Sequence, residues 1–335
     1  MNKTARLSPL PHRVAIATLV VAPVSIAHAE DFTPSQGEQP RQALELNLSE
    51  GQVFTQNVEE RTEMGQHVMG QQMDMEQRMT KVIVHEVQSV NDQGQATVDM
   101  TYHRAALHID GGPGMSLEYD TAEDNAEPSP LAPLDGLIGQ SITYTVDRQG
   151  NVDEVDGVDG LLEAMVDAAG EMPAEQRGQV MGMLQEHFGE EAIREQFMHH
   201  RIYPEEPVGE GARWQIDASL EQPVPIAVDH RYTLRERGED HTVLDLESKL
   251  ELGDDAEPIQ SGPARIQLDL SGEAEGTLQL DPESGIVRQL DTTTELEGPI
   301  DVQMEQQQDQ QMPPIEGEMS FTTRTTINTT DGRPD

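Results

Sequence analysis

Runs of alternating apolar and polar residues, separated by turns that an Asp or Asn opens and a Gly closes, recur along this chain and constrain its fold most strongly. Val82 and Val84 share one parity and Ile83, His85 and Val87 the other, and Ala96, Val98, Met100 and Tyr102 then alternate with Thr97, Asp99 and Thr101. Such period-two runs read as strands. Asn91-Asp92-Gln93-Gly94 divides these two runs, and Asp147-Arg148-Gln149-Gly150-Asn151 divides residues 142–146 from 152–155. An Asp or Asn side chain caps the turn amides, and Gly supplies the positive φ of a short hairpin. The signal returns at residues 237–240 and 281–285. Hairpins in succession build an antiparallel sheet, because parallel strands need long crossovers.

The period changes in the middle of the chain. Leu161 with Met165, Leu162 with Val166, Val180 with Leu184 and Ile193 with Phe197 are four apart, as on one face of a helix. Asp159 is expected to cap the first helix and Gly170 to end it; Pro173 and Gly189 bracket the second, and a third runs from Glu190 to about His200. Alternation resumes after Ala212 in residues 226–234, 242–250, 266–280, 286–296 and 319–327, long runs that fit a strongly curved sheet. The expected class is therefore α+β, mainly antiparallel β. It is a curved sheet or half-barrel, one domain over residues 43–330, with a three-helix insertion at about 158–200 between two strand-rich halves. Residues 30–42, 120–136 and 303–314, rich in Pro, Gln or acids, read as a flexible leader and two exposed loops, and residues 331–335 as a tail.

Lys3, Arg6 and Arg13 precede an apolar run from Val14 to Ile26 that ends in Ala27-His28-Ala29. This is the pattern of a secretory signal peptide cut between Ala29 and Glu30. The run, interrupted by Pro23, is too short to span the hydrocarbon core of a bilayer. The expected location is the periplasm or the exterior. With 63 Asp and Glu against 21 Lys and Arg, the formal charge is −42, which repels nucleic-acid phosphates and anionic headgroups. So many carboxylates beside so few lysines also fit a salt-rich medium, where screening relieves self-repulsion. The absence of cysteine excludes disulfides, thiolate metal sites and cysteine nucleophiles.

Two stretches carry a family likeness. Residues 139–146, leading through Gly150-Asn151-Val152 to Val155-Asp156-Gly157, and Ile202-Tyr203-Pro204 followed by Pro207-Val208-Gly209 and Trp214, resemble a bacterial family of exported proteins of unknown function. The methionine-rich run 69–75 is similar to that family's pattern. The resemblance implies a β-rich domain with a helical insert, like the curved sheets of periplasmic lipoprotein carriers, and assigns no active site.

The candidate chemistry is soft and apolar. Met69, Met73, Met75 and Met79 share a strand parity and would line an apolar face, where thioethers fill irregular gaps. With Trp214 they are the expected ligand-binding residues, for a hydrophobic small molecule or lipid. The alternative is Cu(I) coordination by His67, Met69, Met73 and Met75, soft ligands in an exported chain. Met198-His199-His200 diverge on a helix and do not form a joint site. Asp153, Glu154, Asp156 and Asp159 fail as a calcium loop, since Val152 falls where the first carboxylate is needed. Nucleophile elbow, zinc-hydrolase helix, phosphate loop and dinucleotide fingerprint are missing. The expectation is a non-enzymatic binding or scaffold protein without a cofactor or resident metal.

Overall fold

The computed structural model describes residues 32–68, 71–112, 116–123, 129–197, 201–220, 226–252, 258–261, 264–304 and 315–334. The expected signal peptide and its cleavage point lie outside them, as do Met69, the 198–200 triplet and residues 305–314. The N-terminal half supplies β1 (Val53–Val68), β2 (Gln71–Val90), β3 (Ala96–Asp110), β4 (Ser116–Asp120), β5 (Ser141–Val146) and β6 (Val152–Asp156). Then come α1 (Val158–Ala168), α2 (Ala174–Phe188) and α3 (Glu190–Gln196). The C-terminal half supplies β7 (Arg213–Leu220), β8 (Ile226–Arg237), β9 (Thr242–Leu252), β10 (Ile259–Ser261) and β11 (Ala264–Leu268). It ends with β12 (Ser271–Leu280), β13 (Val287–Met304) and β14 (Ile315–Asp331).

All of these strands join one open, curved, antiparallel sheet; strands make up 58% of the structure and helices 14%. The expected fold class is the observed one. The order β6-β5-β3-β2-β1-β14-β13-β12-β9-β8-β7 joins the two halves where the last strand docks on the first. The helices connect the two outermost strands, β6 and β7.

The hairpin chemistry is as expected. Asn91 Oδ1 accepts the Gln93 and Gln95 amides, Asp147 Oδ1 those of Gln149 and Asn151, and Asp281 Oδ1 those of Glu283 and Ser284. Directly opposed residues in an antiparallel pair share a face, so the register fixes what faces inward. Met75, Met64, Phe321 and Leu296 lie opposite one another across β2, β1, β14 and β13, and Ile327, Leu290, Leu278, Leu244 and Leu234 do so across β14 to β8. Between these apolar rows runs a polar one, Thr62, Thr323, Thr294, Ala274, Ser248 and His230, ending at Ile216 on β7. Thr62 and Thr323 share a hydrogen bond of 3.0 Å, and His230 Nδ1 meets Ser248 Oγ at 2.8 Å. Each buried hydroxyl so paired avoids the desolvation penalty of an orphan.

The main core joins the inner face to the helices through Leu161, Met165, Ile193 and Phe197, with the Phe197 ring 4.3 Å from that of Tyr144. A second, smaller cluster includes Val228, Leu250, Leu296 and Phe321.

Four local readings change. Gly157, not Asp159, is the N-cap of α1: its φ of 93° is a left-handed one, and a Cβ there would meet the Ser141 carbonyl at 2.7 Å. Asp159 sits in the first turn, where the helix dipole favours a carboxylate. The described part of residues 120–136 is not all loop: Asp120 ends β4, which pairs with β3, and Pro133 and Leu134 are buried, with Leu137, in a short 3₁₀ turn against α1. The run 266–280 divides into β11 and β12, which pair with successive lengths of β13.

The leader is the fourth change, because its described residues are tied down rather than flexible. Ser35 exchanges two backbone hydrogen bonds of 2.9 Å with Arg213, and Gln42 two with Val208 at 3.0 and 2.9 Å. Gly209 permits the crossing: a Cβ there would stand 1.8 Å from the Glu38 carbonyl oxygen.

Candidate functional site: the cleft beside strand β7

β7 begins where the chain returns from the helices. Pro204 and Pro207 end helical conformation in that return segment, and two anchors hold it. Trp214 Nε1 donates to the Ile202 carbonyl at 2.9 Å, and the Tyr203 hydroxyl donates to the Gly285 carbonyl at 2.9 Å. Between the return segment, the edge of β7, residues 34–36 and the β5–β6 turn lies a cleft of about 770 Å³. Trp214, Tyr203, Ile216 and Val208 give it apolar surface, while Gln149, Asn151 and Gln215 add amides.

Its charges are mixed. The Gln36 amide donates to Glu206, and Gln215 donates to Asp217 Oδ1 at 2.8 Å. Arg201 and Arg213 line the cleft without an ion pair to any described carboxylate; Arg213 stacks on Phe32, its guanidinium carbon 4.9 Å from the ring centroid. Behind the cleft His230 pairs across the ladder with Ile216. Burial, opposed by the Asp229 carboxylate and reinforced by Arg201, pulls the His230 pKa down to about 4, so the ring is neutral at ordinary pH.

The backbone gives the site its geometry. Arg213 turns both its N–H and its C=O outward to Ser35. On a pleated strand the same groups of Gln215 and Asp217 point the same way, and those of Trp214 and Ile216 point to β8. The outward groups of Gln215 and Asp217 have no partner among the described residues and border the cleft.

Of the expected ligand-binding and metal-binding residues that are described, Trp214 alone lines this cleft, and it is 7% exposed, so it anchors the core as well. Met73, Met75 and Met79 occupy one face as expected, opposite Gln66, Met64 and Glu60, but away from the cleft lining. Met75 and Met79 pack against the main core, whereas Met73 is 56% exposed. His67 is one residue out of phase with Gln66 and so belongs to the opposite face from Met73 and Met75. The pleat therefore separates the expected copper set of His67, Met69, Met73 and Met75, of which Met69 lies outside the described residues. No group of three His, Cys, Asp or Glu residues that would hold a metal is present among the described residues. Ser35, Gln215 and Asp217 escaped the sequence reading, although the position of β7 directly after a helical insert marks it as a strand without a preceding hairpin partner.

An open, curved antiparallel sheet with a helical bridge between its edges and a cleft at one of them defines the class of this protein. The chain belongs to the family of unknown function DUF6263, matched over residues 93–287. That span takes in β3 to β12, the helices and the β7 side of the cleft, but neither the methionine strand nor residues 34–36. No curated protein matches the sequence. Among solved structures it is similar to lipovitellin, in a study of its lipid–protein interactions, at 10% identity and a TM-score of 0.45 over 86% of this chain. The chain spans 26% of that lipovitellin chain. It is also similar to an outer membrane channel from Pseudomonas putida F1, at 7% identity and a TM-score of 0.25, covering 85% of this chain and 97% of the channel. Likeness this distant assigns no activity. No helix among the described residues is long and apolar enough to cross a membrane.

Proposed function

We propose that this is an exported, non-enzymatic binding protein, cut between Ala29 and Glu30, that holds an apolar part of its ligand in the cleft beside β7. The cleft carries the reading. Its volume of about 770 Å³ falls in the range of ligand sites, and the apolar surface of Trp214, Tyr203, Ile216 and Val208 lies among amide and charged groups that would orient what enters. Hydrophobic small molecules, lipids included, are the ligand class that such walls accept. The buried histidines serve the fold: His85 bridges Tyr144 and Gln56, and His230 holds Ser248. The charge of −42 supports work in a salt-rich medium, and a thermal midpoint that rises with sodium chloride would bear this out.

Trp214 is the only tryptophan, so its emission reports on the cleft. Titration with the neutral dye N-phenyl-1-naphthylamine should quench Trp214 by energy transfer, and mass spectrometry of extracts of the natively purified protein should find a co-purified hydrophobic molecule. Unchanged emission together with a clean extract would overturn the reading.

A further inference from the structure

The open edge of β7 narrows the ligand class, on the reading that the cleft is the binding site. We propose that the cleft receives an extended peptide segment of another protein, which adds a strand to the outer edge of β7 at Gln215 and Asp217 and carries basic side chains toward Asp217. This edge is competent for strand addition, because the protein's own Ser35 already pairs with it at Arg213 through two 2.9 Å hydrogen bonds. Past Ser35 no described residue pairs its backbone with this edge. The next outward groups, those of Gln215 and Asp217, face the cleft with no described partner. A free lipid chain offers nothing to two such donors and two such acceptors, whereas an extended main chain satisfies all four.

The pleat also dictates side-chain chemistry. A residue opposite Ile216 would share its inner face, on the side of Trp214 and Tyr232, and should be apolar. Its neighbours, opposite Gln215 and Asp217, would share the outer face with the Asp217 carboxylate. A basic residue opposite Asp217 complements its carboxylate, at the end of the exposed stretch away from Arg213, and the net charge of −42 draws cationic segments toward the whole molecule. The favoured ligand therefore alternates basic and apolar residues.

The test uses the full mature chain and a seven-residue probe of alternating Lys and Val, acetylated and amidated at its ends, read by Trp214 emission and calorimetry. Two isomers of equal charge decide the geometry, one N-methylated at the Lys residues and one at the Val residues. In the proposed register the Lys amides point to β7 and the Val amides away from it. The Lys-methylated isomer should lose at least tenfold in affinity, and the Val-methylated isomer should bind like the parent. Asp217→Pro, which removes one outward donor, should weaken the parent peptide by about fivefold to tenfold, whereas Asp217→Asn keeps the N–H and should lose less. Equal binding of the two isomers would reduce the attraction to bulk charge and overturn the proposal. So would failure of every peptide to bind while the neutral dye still quenches Trp214, a result that leaves the cleft standing as a site for small hydrophobic molecules. Silence from peptide and dye alike would remove both.

Discussion

At the β6 edge of the sheet, α3 lies alongside, the Arg194 guanidinium donates to the Asp153 carbonyl at 3.3 Å, and Ile193 and Phe197 are buried beside Tyr144. At the β7 edge Ser35 is the one described residue that pairs with the strand, and a cleft follows. An uncovered strand edge invites unwanted pairing, and proteins blunt it with helices, charges or short length. Here one edge has a helix packed against it, while its Asp153, Glu154 and Asp156 stay exposed. The other is short and flanked by Arg213 and Asp217, yet keeps backbone groups without a described partner beside a cavity. The same hazard is reduced on one side and retained on the other, and the proposed recognition uses the retained one.

Removing the cover is the most severe way to break this contrast. Phe197→Ala deletes a ring that is 4% exposed and packed on Tyr144, and should cost about 3 to 5 kcal/mol. Denaturant unfolding would measure the loss, and size-exclusion chromatography should show association through the bared β6 edge. A Phe197→Ala protein as stable as the parent would show that α3 covers nothing of consequence.

Acid should act from the other side. His230, on β8 beside the open edge, has its pKa lowered from 6.5 to about 4 in the fold. The unfolded chain therefore takes up a proton near pH 6.5 that the folded chain refuses until about pH 4, so stability falls as pH drops through that window. The shift corresponds to about 3 kcal/mol, since one pKa unit is worth roughly 1.4 kcal/mol. His230→Gln should flatten thermal midpoints between pH 6.5 and 4. Asp281 acts lower: burial raises its pKa, but the Ser284 amide and the Arg288 guanidinium overcome this and hold it at about 2. Its stabilisation is intact above its ordinary pKa and disappears as pH falls toward 2.

Adjacent prolines on β7 sharpen the contrast further. Ile216 points its N–H to β8, so Ile216→Pro breaks the ladder and should cost about 3 kcal/mol or more. Asp217 points its N–H outward, and Asp217→Pro should cost under about 1 kcal/mol, because edge strands tolerate proline on their free side. Equal costs in thermal unfolding would mean that the outward parity is wrong.

What was legible in the sequence follows from how local each signal is. The turns led by Asn91, Asp147 and Asp281 were readable because a side chain three or four residues from its glycine determines them. The helices were readable from their four-residue spacing. The docking of β14 on β1 joins residues at opposite ends of the chain, for instance Phe54 with Asp331, and no local pattern encodes it. The inner row of Thr62, Thr323, Thr294, Ser248 and His230 was hidden for the same reason: single hydroxyl residues look solvent-facing until the register aligns them. The cleft depends on which edge remains unpaired, a property of the whole sheet. That is why the methionines, conspicuous in sequence, drew attention from Gln215 and Asp217.

The smallest expected effect concerns those methionines. Met75 is half-buried against the main core and Met79 similarly so, with Met64 opposite the first and Glu60 opposite the second. Leucine keeps nearly the same volume, so Met75→Leu and Met79→Leu should each cost below about 1.5 kcal/mol, and Met73→Leu, at an exposed position, still less. None of the three lines the cleft, so dye quenching of Trp214 should be unchanged in all of them. If instead the triple variant stays folded but loses the dye, the ligand contacts the methionine face, and the contrast between a covered and a receptive edge no longer locates the binding site.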